Sequence, residues 1–277
     1  MTHISPRLLG IVADVHGNVH VALNAINVLV ARGITEIHFL GDFGFMWRDD
    51  VAGQLAFKRL RLALEDGGAT AFVTGGNHEN YDLMLAIEPD PEGIRWMRKN
   101  IGLIPRGWRA STPSGTTIAS LGGANSIDRY NRKPRVSWWW QESITEEDLT
   151  ALGTEHVDVL LGHDSPKSAA LYQKLLPSAR FWTPQGLLYS DLGQAMFHRG
   201  FMAVTPKLSL GGHYHLRLDT TEEFHDLNGN VFESRAVILD ADGEMNSVAI
   251  LDTETLELEY LNDALRAEQM RLRHVRD

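Results

Sequence analysis

Apolar runs alternate with amphipathic stretches along the N-terminal part of the chain. The runs "LLGIVADV", "EIHFLGDF" and "ATAFVTGG" predict strands, and "VHVALNAINVLVARG" and "VAGQLAFKRLRLALEDGG" between them predict helices. Strand–helix–strand repeats at this spacing imply right-handed crossovers and a mostly parallel sheet that is buried on both faces. The pattern therefore predicts an α/β fold.

The same alternation continues to about residue 215. Further strands are predicted in "TTIASLGG", "VDVLLGHD" and "PKLSLGGHYH", with helices in "SITEEDLTALG" and "GLLYSDLGQAMFHRG". Ser143 and Glu146 have the spacing of a capping box, which predicts that the first of these helices starts there.

The tail of the chain has a different pattern. Turn signals in "LNGN" and "ADGE" predict antiparallel hairpins over residues 216–260, and a charged helix follows from about Asn262. Residues 216–277 are therefore expected to be hairpins and a terminal helix. Because we find no linker or internal repeat, residues 1–277 are predicted to form a single domain.

Composition narrows the class of protein. With 277 residues, of which 43% are hydrophobic, the chain can bury the core of one large domain. The absence of cysteine excludes disulfides and thiolate metal sites, so any metal must have nitrogen and oxygen ligands. We find no signal peptide or membrane span and expect a soluble, cytoplasmic protein. The net charge of -10 argues against broad electrostatic binding of nucleic acid.

Polar side chains follow each predicted strand at its carboxyl end, where binding sites form in open α/β sheets. They are Asp14 and His16 in "ADVHGN", Asp42 in "GDF", Asn77 and His78 in "GGNHE", His163 in "GHD", and His213 and His215 in "GGHYH". We predict that these five strand ends converge on one site.

The spacing of these residues suggests metal binding. Residues two apart on an extended chain project to the same side, so Asp14 and His16 can bind one ion together. Neighbours such as Asn77 and His78 diverge, and one can face a metal while the other faces substrate. Carboxylate, carboxamide and imidazole ligands suit manganese, iron or zinc better than calcium, which prefers oxygen alone.

The ordered set of motifs resembles the five-block signature of the calcineurin-like metallophosphoesterases. The blocks are Asp14-x-His16, Gly41-Asp42, Gly76-Asn77-His78-Glu79, Gly162-His163 and Gly212-His213-x-His215. The stretch near residues 128–143 is similar to one in a bacterial and phage branch of these enzymes. The resemblance implies a four-layer αββα sandwich, in which two mixed sheets pack face to face and are flanked by helices.

The resemblance also implies a role for each site residue. Asp14, His16 and His215 would hold one of two divalent ions, Asn77, His163 and His213 would hold the other, and Asp42 would bridge both. His78 would face the substrate and stabilise the phosphoryl transition state or protonate the leaving oxygen. Manganese is the expected metal, with iron, zinc, nickel and cobalt as alternatives.

The expected activity is the hydrolysis of phosphate esters through a hydroxide that bridges the two ions. A phosphodiesterase acting on a nucleotide or a nucleic-acid-derived substrate is the first expectation, and a phosphomonoesterase is an alternative. A second alternative is a binding module that keeps the fold without turnover. The presence of His78, with every ligand position filled, favours an enzyme.

A basic, aromatic segment lies outside the signature. Between Arg95 and Arg135 the chain has nine basic residues and Asp128 as the one acidic residue. Residues 128–143 are predicted to be a loop at the substrate rim, in which Arg129 and Arg132 hold phosphate and Trp139 stacks on a base. The alternative is a solvated loop whose tryptophans pin it to the core.

Two further residues have structural interpretations. His38, inside "EIHFL", is predicted to be a hydrogen-bonded core histidine. Glu79 is either a residue at a helix N-terminus, favoured by the helix dipole, or a partner that orients the metal ligands.

Overall fold

Two seven-stranded sheets form the framework of the part of the chain that the structure describes. This computed structural model describes residues 3–47 and 50–274, with side chains to residue 271. The strands are β1 (His3–Ile4), β2 (Leu8–Val12), β3 (Glu36–Leu40), β4 (Thr70–Thr74), β5 (Arg95–Arg98), β6 (Ile101–Leu103), β7 (Arg109–Ser111), β8 (Thr117–Leu121), β9 (Val159–Gly162), β10 (Leu208–Gly211), β11 (Leu218–His225), β12 (Val231–Ile238), β13 (Val248–Asp252) and β14 (Glu257–Tyr260).

Helices occupy much of the sequence between these strands. They are α1 (Val19–Ala31), α2 (Val51–Asp66), α3 (Tyr81–Leu85), α4 (Glu146–Leu152), α5 (Ala169–Leu175), α6 (Pro184–Val204) and α7 (Asn262–His274), with short 3₁₀ turns at Arg129–Asn131, Trp140–Glu142 and Leu176–Phe181. Among the described helices, none is both long enough and apolar enough to cross a membrane.

Both sheets are mixed. Sheet I has the order β14-β13-β2-β3-β4-β6-β5, and its strands β2, β3, β4 and β6 are parallel neighbours between antiparallel edges. Sheet II has the order β1-β7-β8-β9-β10-β12-β11, with β8, β9, β10 and β12 parallel. The parallel strands of each sheet therefore end at a common edge, as the alternating pattern predicts.

The core has three apolar layers. Side chains such as Leu9, Ile11 and Leu161 fill the space between the two sheets. A second cluster lies between sheet I and helices α1, α2 and α7, and a third lies between sheet II and helices α4 and α6. This arrangement is the four-layer αββα sandwich that the resemblance implies, and the prediction is confirmed.

Strand β2 shows how the sequence produces these layers. Leu9 and Ile11 face the other sheet, whereas Val12 packs in the cluster beneath the helices, because successive side chains point to opposite faces. A Cβ atom at Gly10 would lie 2.9 Å from Leu29 of α1. The glycine therefore lets helix α1 approach the strand closely.

Two C-terminal hairpins form, in different sheets, but the prediction of a hairpin turn at "ADGE" was wrong. Strands β11 and β12 pair antiparallel across the "LNGN" turn in sheet II, whereas β13 and β14 pair in sheet I. The "ADGE" stretch therefore connects the two sheets. Helix α7 begins at Asn262, as predicted, and residues 275–277 of the predicted tail lie outside the described residues. The single domain over residues 1–277 stays a prediction.

The capping-box prediction for α4 was wrong by two residues. The capping box is formed by Thr145 and Asp148: the Asp148 amide donates to the Thr145 hydroxyl at 3.3 Å and the Thr145 amide donates to the Asp148 carboxylate at 2.8 Å. The Ser143 hydroxyl instead donates to Asn125 Oδ1 at 2.7 Å. Because this tertiary bond engages Ser143, the helix begins at Glu146.

Candidate metal centre

Eight polar residues from five loops meet at the carboxyl ends of the central strands. Asp14, His16, Asp42, Asn77 and His78 follow strands of sheet I, and His163, His213 and His215 follow strands of sheet II. We call this group the centre. It spans the upper edge of both sheets, as the sequence predicts.

The backbone at the centre is held in an unusual conformation. Of the ten non-glycine residues with positive φ among the described residues, five belong to the centre: Asp14, His16, Asp42, His213 and His215, with φ between 41° and 68°. Such residues cost about 1–3 kcal/mol each and persist where surrounding contacts fix them, commonly at functional sites. The conformation turns these side chains back over the strand ends.

Asp42 occupies the middle of the centre. Its Oδ2 lies 3.3 Å from His16 Nε2, its Oδ1 lies 3.2 Å from His163 Nε2, and the His78 amide donates to Oδ1 at 2.7 Å. Two groups of possible ligand atoms share it, namely His16, Asp42 and His78, and Asp14, Asp42 and His163; within each group the atoms lie within 4.8 Å of one another. One carboxylate can therefore serve two ions.

A glycine makes this position of Asp42 possible. A Cβ atom at Gly76 would lie 2.2 Å from the Asp42 amide nitrogen, which is well inside van der Waals contact. The loop after β4 can therefore pass against Asp42 because residue 76 has no side chain.

Asp14 supplies a direct indication that a cation belongs here. Its side chain is fully buried, and Oδ2 accepts the His213 amide at 2.9 Å. Its Oδ1 is buried without a hydrogen-bond partner among the described residues, although it lies 3.4 Å from His163 Nδ1, which is directed to Leu40 O. A buried carboxylate oxygen without a donor is costly, and a divalent cation would satisfy it. The residues present thus fit a metal.

His163 faces the same space. Its Nδ1 is assigned as the donor to Leu40 O at 2.7 Å, which directs Nε2 to Asp42 and to Asn77 Oδ1, the latter at 2.9 Å. Burial lowers the pKa of His163, but Asp42 and Asp14 outweigh it and raise that pKa to about 10. The pocket therefore stabilises positive charge at Nε2, whether a proton or a metal ion supplies it.

The two carboxylates respond oppositely to this environment. Burial is the main cause that raises the pKa of Asp14 to about 7, with repulsion from Asp42 added to it. The pKa of Asp42 lies well below its ordinary value, because His163 and His16 outweigh the effect of burial. Asp14 and Asp42 are both buried and belong to one group of possible ligand atoms. Their negative charges need compensating positive charge, which divalent ions would provide.

The two histidines of the last loop, His213 and His215, lie beside different groups of possible ligand atoms. The ring centroid of His213 lies 5.0 Å from that of His163, and the centroid of His215 lies 4.8 Å from that of His16. This pairing agrees with the ligand sets that the resemblance implies. Asp14 differs from the implied ligand set, because its carboxylate belongs to the same group of possible ligand atoms as His163 and not to that of His16.

Asn77 is oriented by two residues that the sequence does not single out. Its Nδ2 donates to Ser126 Oγ at 3.1 Å, and Ser126 Oγ donates to Glu142 Oε2 at 2.6 Å. The Asn77 Oδ1 atom is thereby turned toward His163. Ser126 lies outside the motifs, and Glu142 falls within residues 128–143 without any signal that links it to Asn77.

Glu79 holds the loop that carries Asp42. Its two carboxylate oxygens accept the amides of Phe43 at 2.7 Å and Gly44 at 3.2 Å. Asn80, and not Glu79, caps helix α3. Burial, followed by repulsion from Asp42, raises the pKa of Glu79 to about 8. Of the two interpretations from the sequence, the contacts favour a partner of the site.

Arg132 reaches the centre from the rim segment, residues 128–143. Its Nη2 lies 2.7 Å from His78 Nε2, its Nη1 donates to Asn77 O at 3.3 Å, and its Nε pairs with Asp128 at 2.7 Å. Burial chiefly, and Arg132 in addition, lower the pKa of His78 to about 4 against the pull of Asp42. His78 is therefore neutral at pH 7 and accepts from Arg132.

The other two predicted rim residues lie in aromatic packing. The Arg129 guanidinium lies 4.4 Å from the Trp138 ring centroid and 4.6 Å from that of Tyr189. Trp139 is 3% exposed and meets Trp47 edge-on at 5.2 Å. The structure thus brings Arg132 to the centre, and the assignment of Arg129 and Trp139 to substrate binding stays a prediction.

Comparison with protein families settles the class of this site. A sequence profile described as calcineurin-like phosphoesterase matches residues 8–217, a span that contains every candidate ligand. The chain belongs to the calcineurin-like phosphoesterases. It is a hydrolase of phosphoric esters, and the family uses two divalent metal ions. The branch of the family is not fixed by this match.

Comparison with solved structures gives a likeness in fold and a weaker similarity. Protein TT1561 of Thermus thermophilus is 13% identical, with a TM-score of 0.51 over 92% of this chain and 98% of that one. A dimetal phosphatase from Danio rerio is 13% identical, with a TM-score of 0.49 over 88% and 91% of the two chains. At such identity the likeness to TT1561 concerns the fold alone. Comparison with curated proteins gives no significant match.

Proposed function

We propose that this calcineurin-like phosphoesterase is a phosphodiesterase that acts on a nucleotide or a nucleic-acid-derived substrate. The observation that carries the proposal is the contact between Arg132 and His78 beside Asp42. The charge of Arg132 is shared with Asp128 at 2.7 Å. A diester carries one negative charge, whereas a terminal monoester carries nearly two at neutral pH. A single, partly neutralised arginine favours the diester.

The nucleotide part of the proposal rests on the rim segment. Tyr130 is 60% exposed and Trp140 is 63% exposed, so both rings have free surface on which a base can stack. Lys133 of the same segment adds positive charge, whereas the charge of Arg135 is shared with Asp82 at 2.9 Å. These features suit a nucleoside attached to a phosphate that is bound at the centre.

We assign two divalent ions to the centre, with manganese as the expected metal and iron, zinc, nickel and cobalt as alternatives, since all of them accept mixed nitrogen and oxygen ligands. His16, His215 and Asp42 would hold one ion, and Asn77, His163, His213 and Asp42 would hold the other. Asp14 would hold the second ion, because its carboxylate lies in one group with Asp42 and His163. When bound, two such ions lower the pKa of water and stabilise charge on phosphoryl oxygens.

The chain's own residues then position the phosphate. Arg132 donates to a non-bridging oxygen, and its movement toward the phosphate takes its positive charge away from His78, so that His78 Nε2 can take up a proton from solvent and donate it to the leaving oxygen. Glu79 keeps Asp42 in place through the Phe43 and Gly44 amides. His78 also lies near His16 and Asp42, and its role as a substrate-facing group is separable from ligation by experiment.

The test is a substrate panel assayed with Mn²⁺. Bis-p-nitrophenyl phosphate and 2′,3′-cyclic nucleotides should be hydrolysed faster than p-nitrophenyl phosphate, and Asp42→Asn or His213→Ala should abolish turnover. Full turnover after chelation, with metal removal verified by elemental analysis, would contradict the metal dependence. Faster hydrolysis of the monoester would instead contradict the preference for diesters.

A further inference from the structure

A cavity of about 580 Å³ adjoins the centre on the side of sheet II. It lies between helix α5, the 3₁₀ turn Leu176–Phe181 and the first half of α6. His213, a candidate metal ligand, lines it at one end together with Tyr214. Ile127, which directly precedes the rim segment, lines it as well.

The lining is mainly apolar. Leu171, Leu175, Leu187 and Trp182 contribute side chains to it. Its mouth continues to Tyr172 and Leu176, which are 62% and 50% exposed. Exposed apolar surface of this kind around a cavity marks binding sites more often than ordinary surface.

The two formal charges of the lining neutralise each other. Lys167 Nζ and Asp191 Oδ1 form an ion pair at 2.6 Å, so together they give the lining no net formal charge. Among the other polar side chains of the lining, Ser168, Ser178 and Tyr214 are engaged in hydrogen bonds within the protein. Apart from His213, that leaves Tyr172, Ser190 and Gln194, whereas a nucleobase edge needs several aligned donors and acceptors.

The wall of the cavity beside the centre is held in place by a hydrogen bond to a buried carboxyl group. The Tyr214 hydroxyl donates to Asp164 Oδ1 at 2.6 Å, and Asp164 is buried. His213 lies between this wall and His163, with its ring 5.0 Å from the His163 ring. A phosphate held at the centre can therefore direct one of its ester groups into the cavity.

We propose that this cavity binds an uncharged, mainly apolar organic group, aryl or alkyl, that is esterified to the phosphate bound at the centre. The inference rests on the proposed function. A phosphodiester has two organic groups, so a nucleoside on the rim segment and an apolar group in the cavity are compatible. The volume lies within the 300–1,000 Å³ typical of small-molecule pockets.

A binding experiment tests this without requiring turnover. Hexylphosphonate and methylphosphonate share a phosphonate that the Mn²⁺-loaded protein can bind, and they differ in the apolar group. Calorimetry should give at least a 10-fold lower Kd for hexylphosphonate. Ser190→Phe, which fills the cavity from α6, should remove that difference, whereas Leu188→Phe should keep it. Leu188 is 60% exposed on the same helix and outside the lining.

Equal affinities for the two phosphonates in the wild type would overturn the proposal, as would equal effects of the two variants. Weaker binding of adenosine 5′-monophosphate by Ser190→Phe, with hexylphosphonate binding unchanged, would assign the cavity to a base and also overturn it. If Ser190→Phe fails to fold, Ala179→Leu fills the opposite wall. Failure of the proposed function would appear separately, as absence of metal-dependent hydrolysis of every diester.

Discussion

The Ser126 hydroxyl donates to the Glu142 carboxylate across 2.6 Å, and this bond determines which way Asn77 points. An ionised carboxylate only accepts, so the serine hydrogen is committed and Ser126 Oγ must accept the Asn77 amide N–H at 3.1 Å. The Ser126 amide and the Tyr189 hydroxyl also donate to Glu142, at 2.8 and 3.1 Å. Asn77 therefore presents its oxygen, and not its nitrogen, to the centre.

Ser126→Ala should weaken metal binding because the Asn77 amide loses the acceptor that fixes its orientation. Loss of a residue that hydrogen-bonds to a metal ligand typically lowers metal affinity 10–100-fold. Competition with a chelator measures the change. Ser5→Ala is the matched control, since Ser5 is also buried and donates to a buried carboxylate, that of Glu36 at 2.7 Å, away from the centre. Wild-type affinity in Ser126→Ala would contradict this role.

Arg132→Gln should lower kcat/KM for bis-p-nitrophenyl phosphate, because Arg132 is the rim residue that contacts His78. The loss of a charge-assisted contact corresponds to about 1.5–3 kcal/mol, or roughly 10–150-fold. Metal content should not change. Steady-state kinetics with elemental analysis measures both.

Arg129→Gln, three residues away, serves as the comparison. Arg129 packs against Trp138 and Tyr189, so its loss should reduce the free energy of unfolding by about 1–2 kcal/mol and leave kcat/KM nearly unchanged. Equal losses of kcat/KM in the two variants would show that Arg129 also binds substrate.

His78→Gln should retain about two metal ions per chain and lose about 10²–10⁴ in kcat, the usual contribution of a general acid–base group. Elemental analysis measures the metal content, and single-turnover kinetics measures the rate of the chemical step. His225→Gln, at an exposed position at the end of edge strand β11, should change neither. If metal is lost together with activity, His78 is a ligand, as its position beside His16 and Asp42 allows.

The sequence predicts the centre well because the fold brings its parts together in a regular way. Asp14, Asp42 and His163 each follow a buried parallel strand, and parallel strands end at a common edge. Ser126 and Glu142 could not be found in the same way. Ser126 contacts Asn77 across 49 residues that include α3 and strands β5 to β8, and Glu142 acts on Asn77 through Ser126, so no local pattern encodes either contact.

At two places the local sequence pattern allows alternative structures, and tertiary contacts determine which one forms. Ser143–Glu146 and Thr145–Asp148 both have capping-box spacing, and the bond from Ser143 to Asn125 selected the second. Arg129 and Arg132 belong to one basic run, yet the 3₁₀ turn Arg129–Asn131 separates their side chains. One packs among aromatic rings and the other reaches His78.

Glu36 allows a prediction about stability that does not involve the centre. This buried carboxylate accepts a hydrogen bond from Ser5, and its oxygens lie 2.9 Å from His3 Nε2 and 2.9 Å from His38 Nε2. His38 is thus the core histidine that the sequence predicts. Burial raises the pKa of Glu36, but these bonds outweigh burial and lower it from 4.5 to about 2.

Because the folded pKa lies below the unfolded value, ionised Glu36 stabilises the fold above pH 4.5, and this contribution is lost as the pH falls from 4.5 toward 2. Glu36→Gln should therefore lower the free energy of unfolding by about 3 kcal/mol at pH 6, where His3 also contributes fully, and by about 1 kcal/mol less at pH 4. The pKa of His3 is raised, chiefly by its hydrogen bond to Glu36, so its own contribution is full below pH 6.5 and fades at higher pH. Urea denaturation at the two pH values measures the difference, with the exposed Glu233→Gln as a control that should show neither effect. A destabilisation that grows as the pH falls would contradict the assignment of Glu36 as an ionised partner of both histidines.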